Sequence, residues 1–155
     1  MAFTLTTPVT GQAQTGLVSP TYTVVTDLAP SALGKQYAVT ALGGTQTGVT
    51  PHSASSPFTL TFYRPPVYKK IGTPNPSTGV VRDVGFNVAK LVGRKGMVPL
   101  AGQPPQIMEA TLVMKVPAGA DTAAPAEIRA LLSALFGAAV QQSAGIGDTL
   151  VSGIV

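Results

Sequence analysis

From residue 1 to about 117, apolar residues alternate with threonine in short runs punctuated by Gly, Pro, Ser and Asn, the texture of β-strands rather than helices. The clearest run is Phe58 to Arg64. Strict alternation sets Phe58, Leu60 and Phe62 on one face and Thr59, Thr61 and Tyr63 on the other, and Pro65 and Pro66 end the strand because neither can donate to a ladder. Phe3 to Val9 and Thr21 to Thr26, on either side of the turn-like stretch Gly11 to Ser19, predict a hairpin. Lys35 to Leu42 predicts a third strand, and Gly43 to Ser56, rich in Gly, Thr and Ser, a loop. After a second turn cluster at Gly72 to Gly79, Val84 to Gly93 predicts a fifth strand. The pattern leaves its facing open, because Lys90 and Arg94 share a parity with Val88 and Val92. Pro99 to Pro105 predicts a loop, and Ile107 to Val116 a sixth strand with Glu109, Thr111 and Lys115 on its more polar face.

After Pro117 the period changes. Ile128, Leu131, Leu132, Leu135, Phe136 and Val140 fall at steps of three and four, the stripe of an amphipathic helix. Asp121 or Thr122 is placed to cap its start, and Pro125 suits its first turn, where a missing N–H does no harm. Gly145 to Val155 predicts a short second helix or a turn leading to an apolar terminus. Strands followed by helices make an α+β class, an antiparallel sheet with helices on one face. The 155 residues form one domain, about 1–117 sheet and about 122–155 helical. One helical stripe is little cover for such a sheet, which predicts a partner copy supplying a second helix.

Composition sharpens that expectation. Hydrophobic residues make up 45% of the chain and charged residues only 10%, against an ordinary quarter or so, which suggests a surface largely covered by other subunits. The net charge of +4 is concentrated: Lys35 to Lys115 holds nine basic residues against two acids. Such an asymmetry suggests a polyanion partner, the plainer alternative being a solvated basic face. Threonine hydroxyls, the Tyr63 ring and neighbouring cations suit unpaired RNA bases, which stack on aromatics while basic groups hold phosphates. The plainer alternative is the solvent face of a Thr-rich sheet.

Catalytic chemistry finds little footing. With no cysteine there is no disulfide, thiolate cage or cysteine nucleophile, and any Ser-His-Asp arrangement would have to be built on His52, read as an exposed loop histidine. Six scattered carboxylates show no ligand spacing, so no metal site is expected. Nothing brings Glu109 and Asp83 together as an acid/base pair, and Gly93 to Gly96 reads as a basic strand end rather than a phosphate cradle. The expectation is a protein without enzymatic activity, cofactor or small-molecule substrate. Ile128 to Val140 contains Arg129 and is far shorter than the ~20 residues of a membrane span, and Met1 to Thr10 lacks the basic start of a signal peptide.

Four features in order carry a resemblance. A Thr-rich hairpin begins just after Met1-Ala2, and the strand Phe58 to Arg64 runs into Arg-Pro-Pro-Val-Tyr-Lys-Lys70. A last strand and acidic linker, Glu109 to Asp121, lead to the helical Glu127 to Phe136, and a small-residue tail spans Gly147 to Val155. Taken together they resemble the coat proteins of single-stranded RNA bacteriophages. The resemblance implies a hairpin plus five-stranded antiparallel sheet, with two C-terminal helices that cross onto a partner's sheet in an interlocked homodimer. It further implies icosahedral shells built from dimers around single-stranded RNA in the bacterial cytoplasm, and a sheet face that binds RNA. That RNA includes a genomic hairpin whose recognition packages the genome and represses translation. Carried over by strand order, the RNA-facing positions are Thr59, Thr61, Tyr63, Lys90, Arg94, Glu109, Thr111 and Lys115. Pro99, Gly102, Pro104 and Pro105 fall in the loop that meets neighbouring dimers, and Ile128, Leu131, Leu132, Leu135 and Phe136 on the dimer helix. Gly43 to Ser56 has no obvious counterpart in the shortest coats. The competing reading is an exported fimbrial or pilin-like β subunit polymerising by strand addition, which the uncharged N-terminus and helical C-terminus disfavour.

Overall fold

The computed structural model describes residues 2–155. Six strands, β1 (Val9–Thr10), β2 (Leu17–Asp27), β3 (Gly34–Gln46), β4 (Phe58–Tyr63), β5 (Phe86–Met97) and β6 (Gln106–Pro117), form one antiparallel sheet in sequence order. Three helices follow: α1 (Ala120–Ala123), α2 (Pro125–Gln141) and α3 (Ser143–Ser152). This is the α+β arrangement that the sequence predicts, and every strand pairs with the one before it.

The apolar parity of β4 sets the core. Val24, Tyr37 and Val39 are buried on that face, surrounded by Phe3, Leu5, Val9, Tyr22, Leu42 and Phe58. Phe3 stacks on Phe62 at 5.1 Å between ring centroids and meets Tyr37 edge-on at 6.0 Å. The N-terminal segment therefore departs from expectation. Phe3 to Val9 pairs with β2 only at its end, through Val9 opposite Tyr22. The rest lies across the sheet, held where the Leu5 amide donates to the Tyr37 hydroxyl (3.3 Å) and the Val24 amide to Thr7 Oγ1 (3.1 Å). Its alternation serves packing over β2 to β4, not a ladder.

The predicted loop Gly43 to Ser56 is likewise strand in its first part. β3 runs on to Gln46, and β2 accommodates it through register shifts between Val18 and Thr21 and between Thr23 and Val24. Gly43 lies so close to Thr21, and Gly44 (φ +74°) so close to the Ser19 carbonyl, that a Cβ at either position would collide. The remaining loop is pinned by His52, whose amide donates to the Val39 carbonyl (2.7 Å) and whose Nδ1 accepts from the Phe58 amide (3.1 Å). His52 is thus half-buried and structural rather than an exposed loop residue.

At the helical end, Asp121 and Thr122 lie inside α1 and cap nothing. The chain turns at Gly119 (φ +90°), and α2 starts at Pro125 after Ala124 with no side-chain cap. A proline disfavours helical geometry in the residue before it, which explains why α1 and α2 are separate. α3 is a helix, tied to the β1–β2 turn where Gln14 donates to Ser143 and Thr15 Oγ1 donates to Asp148 Oδ2 (2.9 Å). No residue of α2 is buried. Ile128, Leu131, Leu132 and Leu135 face Phe62, Ala89, Leu112 and Met114 across an apolar groove of about 570 Å³. Among the described residues no single helix is long and apolar enough to cross a membrane. α2 and α3 pass that test only as a pair, bent by 62°.

Candidate nucleic-acid interface

The pleat of β4 propagates through the neighbouring ladders. Thr59, Thr61 and Tyr63 lie opposite Arg94, Val92 and Lys90, which lie in turn opposite Glu109, Thr111 and Val113; Lys115 pairs with Val88. All eight candidate positions therefore share the face opposite the aromatic core. The facing of β5, open in the sequence, follows from the same register: Val88, Lys90, Val92 and Arg94 look this way, while Leu91, Gly93 and Lys95 belong to the core side.

An open groove of about 560 Å³ runs across this face. It is lined by Tyr63, Val88, Lys90, Val92, Arg94, Glu109 and Thr111, together with Ser31, Leu33, Arg64 and Pro66. The last four were not among the sequence candidates. They arrive because the Arg64 amide donates to the Leu33 carbonyl (3.1 Å), drawing the β2–β3 turn against the end of β4, an approach that no local pattern announces.

The eight positions do not play one part. Thr59 and Thr61 are buried, contrary to the expectation of available hydroxyls. Thr61 Oγ1 donates to Gln36 Oε1 (2.8 Å), and Gln36 Nε2 donates to Asp27 Oδ2 (2.7 Å) and the Leu28 carbonyl (3.3 Å). These threonines form the floor of the face and not its contact surface. Tyr63 is half-buried, while Lys90, Thr111 and Lys115 are exposed.

Arg94 Nε donates to Glu109 Oε2 (2.8 Å) and Thr111 Oγ1 to Glu109 Oε1 (3.1 Å). The Arg94 guanidinium, and after it the Thr111 hydroxyl, hold the Glu109 carboxyl below its ordinary range. This is the one ion pair among the described residues. Lys90, Lys115 and Arg64 make no ion pair, although Lys90 lies near enough to Glu109 to favour its charged form.

The basic segment does not all face one way. Lys35 sits over the Tyr37 ring (5.6 Å) and bonds Thr4 Oγ1 (3.0 Å); Lys95 sits over Phe58 (5.1 Å) and bonds Thr50 Oγ1 (3.1 Å). Both cover the apolar side, where burial pushes the Lys95 ammonium below its ordinary value. The open face keeps Lys90, Arg94 and Lys115, an aromatic ring, hydroxyls and a valine floor, a surface suited to an extended polyanion with unstacked rings.

The other candidate groups lie apart from this face. Pro99, Gly102, Pro104 and Pro105 occupy the β5–β6 turn beyond the last ladder pair, Met97 with Gln106, where Gly102 takes φ +82° and Leu100 is exposed. On α2, Ile128 and Leu132 are half-buried, whereas Leu131, Leu135 and Phe136 are exposed. Among the described residues no His, Asp and Glu cluster of three could hold a metal ion.

No family model matches the chain, and no curated protein matches it. Among solved structures it matches the virus-like particle of bacteriophage ESE020 with 56% sequence identity and a TM-score of 0.96, over 99% of this chain and 100% of that one.

Proposed function

Because the chain belongs to the bacteriophage capsid proteins, we propose that it is the coat subunit of a single-stranded RNA phage. On this reading the subunit pairs with a second copy and the pairs close into an icosahedral shell around RNA. The β4–β6 face looks inward and binds the genome, including a hairpin whose recognition drives packaging and represses translation. Assembly takes place in the cytoplasm of the bacterial host.

One observation carries the reading: the subunit by itself leaves its helix stripe and the groove beneath it uncovered. Leu131 is 69% exposed, and Leu135, Phe136 and Val140 are about half exposed or nearly so. Soluble monomers rarely leave so continuous an apolar surface to water. The same subunit ends its sheet on β6, a long strand with an unpaired outer edge, which natural proteins pair or cover. A second copy meets both needs, edge to edge along the sheet and helix over groove.

The test is expression of the chain alone in bacteria, followed by size exclusion, negative-stain microscopy and the ratio of absorbance at 260 to that at 280 nm. Closed isometric particles rich in nucleic acid are expected. A small species free of nucleic acid, or an open filament, would overturn the proposal.

A further inference from the structure

Glu109 is the one carboxylate among the residues lining the open groove, whose charged companions are Arg64, Lys90 and Arg94. On a surface that attracts phosphates an acid weakens binding, yet this one is held by two donors. Arg94 Nε takes one lone pair of Oε2 and Thr111 Oγ1 one of Oε1. An ionised carboxylate offers about four lone-pair sites, so one acceptor position remains on each oxygen. The Glu109 side chain is 47% exposed and lines the groove, so its carboxylate is within reach of a ligand there.

Two adjacent acceptors fit two adjacent donors. Of the four RNA bases, only guanine presents that pair on its Watson–Crick edge, N1–H beside the N2 amine. Cytosine and adenine set an amine next to an acceptor nitrogen, and uracil sets a single N–H between two carbonyls that a carboxylate repels. Single-stranded RNA is read on such edges once its bases are splayed out.

We infer that Glu109 is a specificity residue that accepts both donors of an unpaired guanine, with Arg94 and Thr111 as positioning residues. The inference rests on the RNA-binding reading above. Phosphate is turned away from this spot by the same carboxylate, so the backbone is left to Lys90 and Arg64 on the groove wall. The acid gives up general affinity and gains discrimination.

The test uses the full chain freed of nucleic acid, titrated by fluorescence anisotropy with a labelled uridine dodecamer. Two further probes carry one central guanosine, or one inosine, which keeps N1–H and lacks the N2 amine. The wild-type protein is expected to bind the guanosine oligomer about tenfold more tightly than the uridine one, in keeping with a bidentate base contact, with inosine between them. In Glu109→Gln the guanosine preference falls to within about twofold while uridine binding strengthens. Thr111→Val, which leaves the charge untouched, lowers the preference, and Thr111→Ser restores it. Equal binding of all three oligomers by the wild type, or a guanosine preference that survives Glu109→Gln, overturns this inference and leaves RNA binding standing. Failure of the wild type to bind any of them overturns both.

Discussion

A polar chain threads the floor of the open face from Thr61 through Gln36 to Asp27, and each link donates to the next. Gln36 and Thr61 are both buried, so neither can turn to water if its partner is removed. Thr61→Val leaves Gln36 Oε1 without a donor and is expected to destabilise the subunit by about 1–3 kcal/mol in urea unfolding, whereas Thr61→Ser keeps most of the stability. The far end of the chain responds to pH. The Gln36 amide, and then the Leu28 backbone amide, hold the Asp27 carboxyl below its ordinary value. A carboxyl with a lower folded than unfolded pKa contributes its stabilisation in full above the unfolded value, near 4, and loses it as pH falls through the lowered folded value. The urea midpoint of the wild type is therefore expected to exceed that of Asp27→Asn at pH 6, with the difference shrinking as the pH is taken down through the carboxylate range.

At the scale of elements, α2 and the β5–β6 turn are the parts to which the proposed assembly gives a role outside the subunit. Leu131 touches little within its own chain, so Leu131→Asp is expected to leave the sheet's near-ultraviolet signature unchanged while sedimentation reports loss of the paired species. The turn residues Ala101 to Pro104 lie beyond the last rung of the ladder. Deleting them is expected to preserve pairing and to change the size or shape of particles seen by microscopy. The elements also differ in how far sequence alone discloses them. β4 is legible because its apolar residues fall on one parity and its hydroxyls on the other, and β6 because from Leu112 onward only one parity is partly covered, which gives a period of two. β5 hid its facing because Val88 and Val92 floor the open groove while Leu91 meets the core side, so apolar residues fall at both parities and the alternation is lost. Phe3 and Leu5 alternate as a strand would, yet they alternate over the sheet, and the pattern is the same in either case. Gly43 and Gly44 carry the composition of a loop because they permit a close crossing of β2 and β3. Of the groove itself, the wall on β4 to β6 followed from parity. The wall from Ser31 and Leu33 did not, being brought there by a tertiary contact.

For the whole molecule, charge separates along the two faces, with Lys35 and Lys95 spent on aromatic rings and Lys90, Lys115 and Arg64 left toward the open side. Three phosphate contacts per subunit are expected to give a slope of about −2 in log affinity against log salt for single-stranded RNA, measurable by titration across a salt series. A much steeper slope would require cations from the other face. The order of elements has a consequence in time. Every strand pairs with its predecessor, and the helices come only after Pro117. At roughly 5–20 residues per second of synthesis, the sheet can close as it emerges, while α2 and α3 lag it by a few seconds. On the proposed pairing through α2, the strands are thus all made before the surface that would meet a second copy, so the sheet has its own partners in place first.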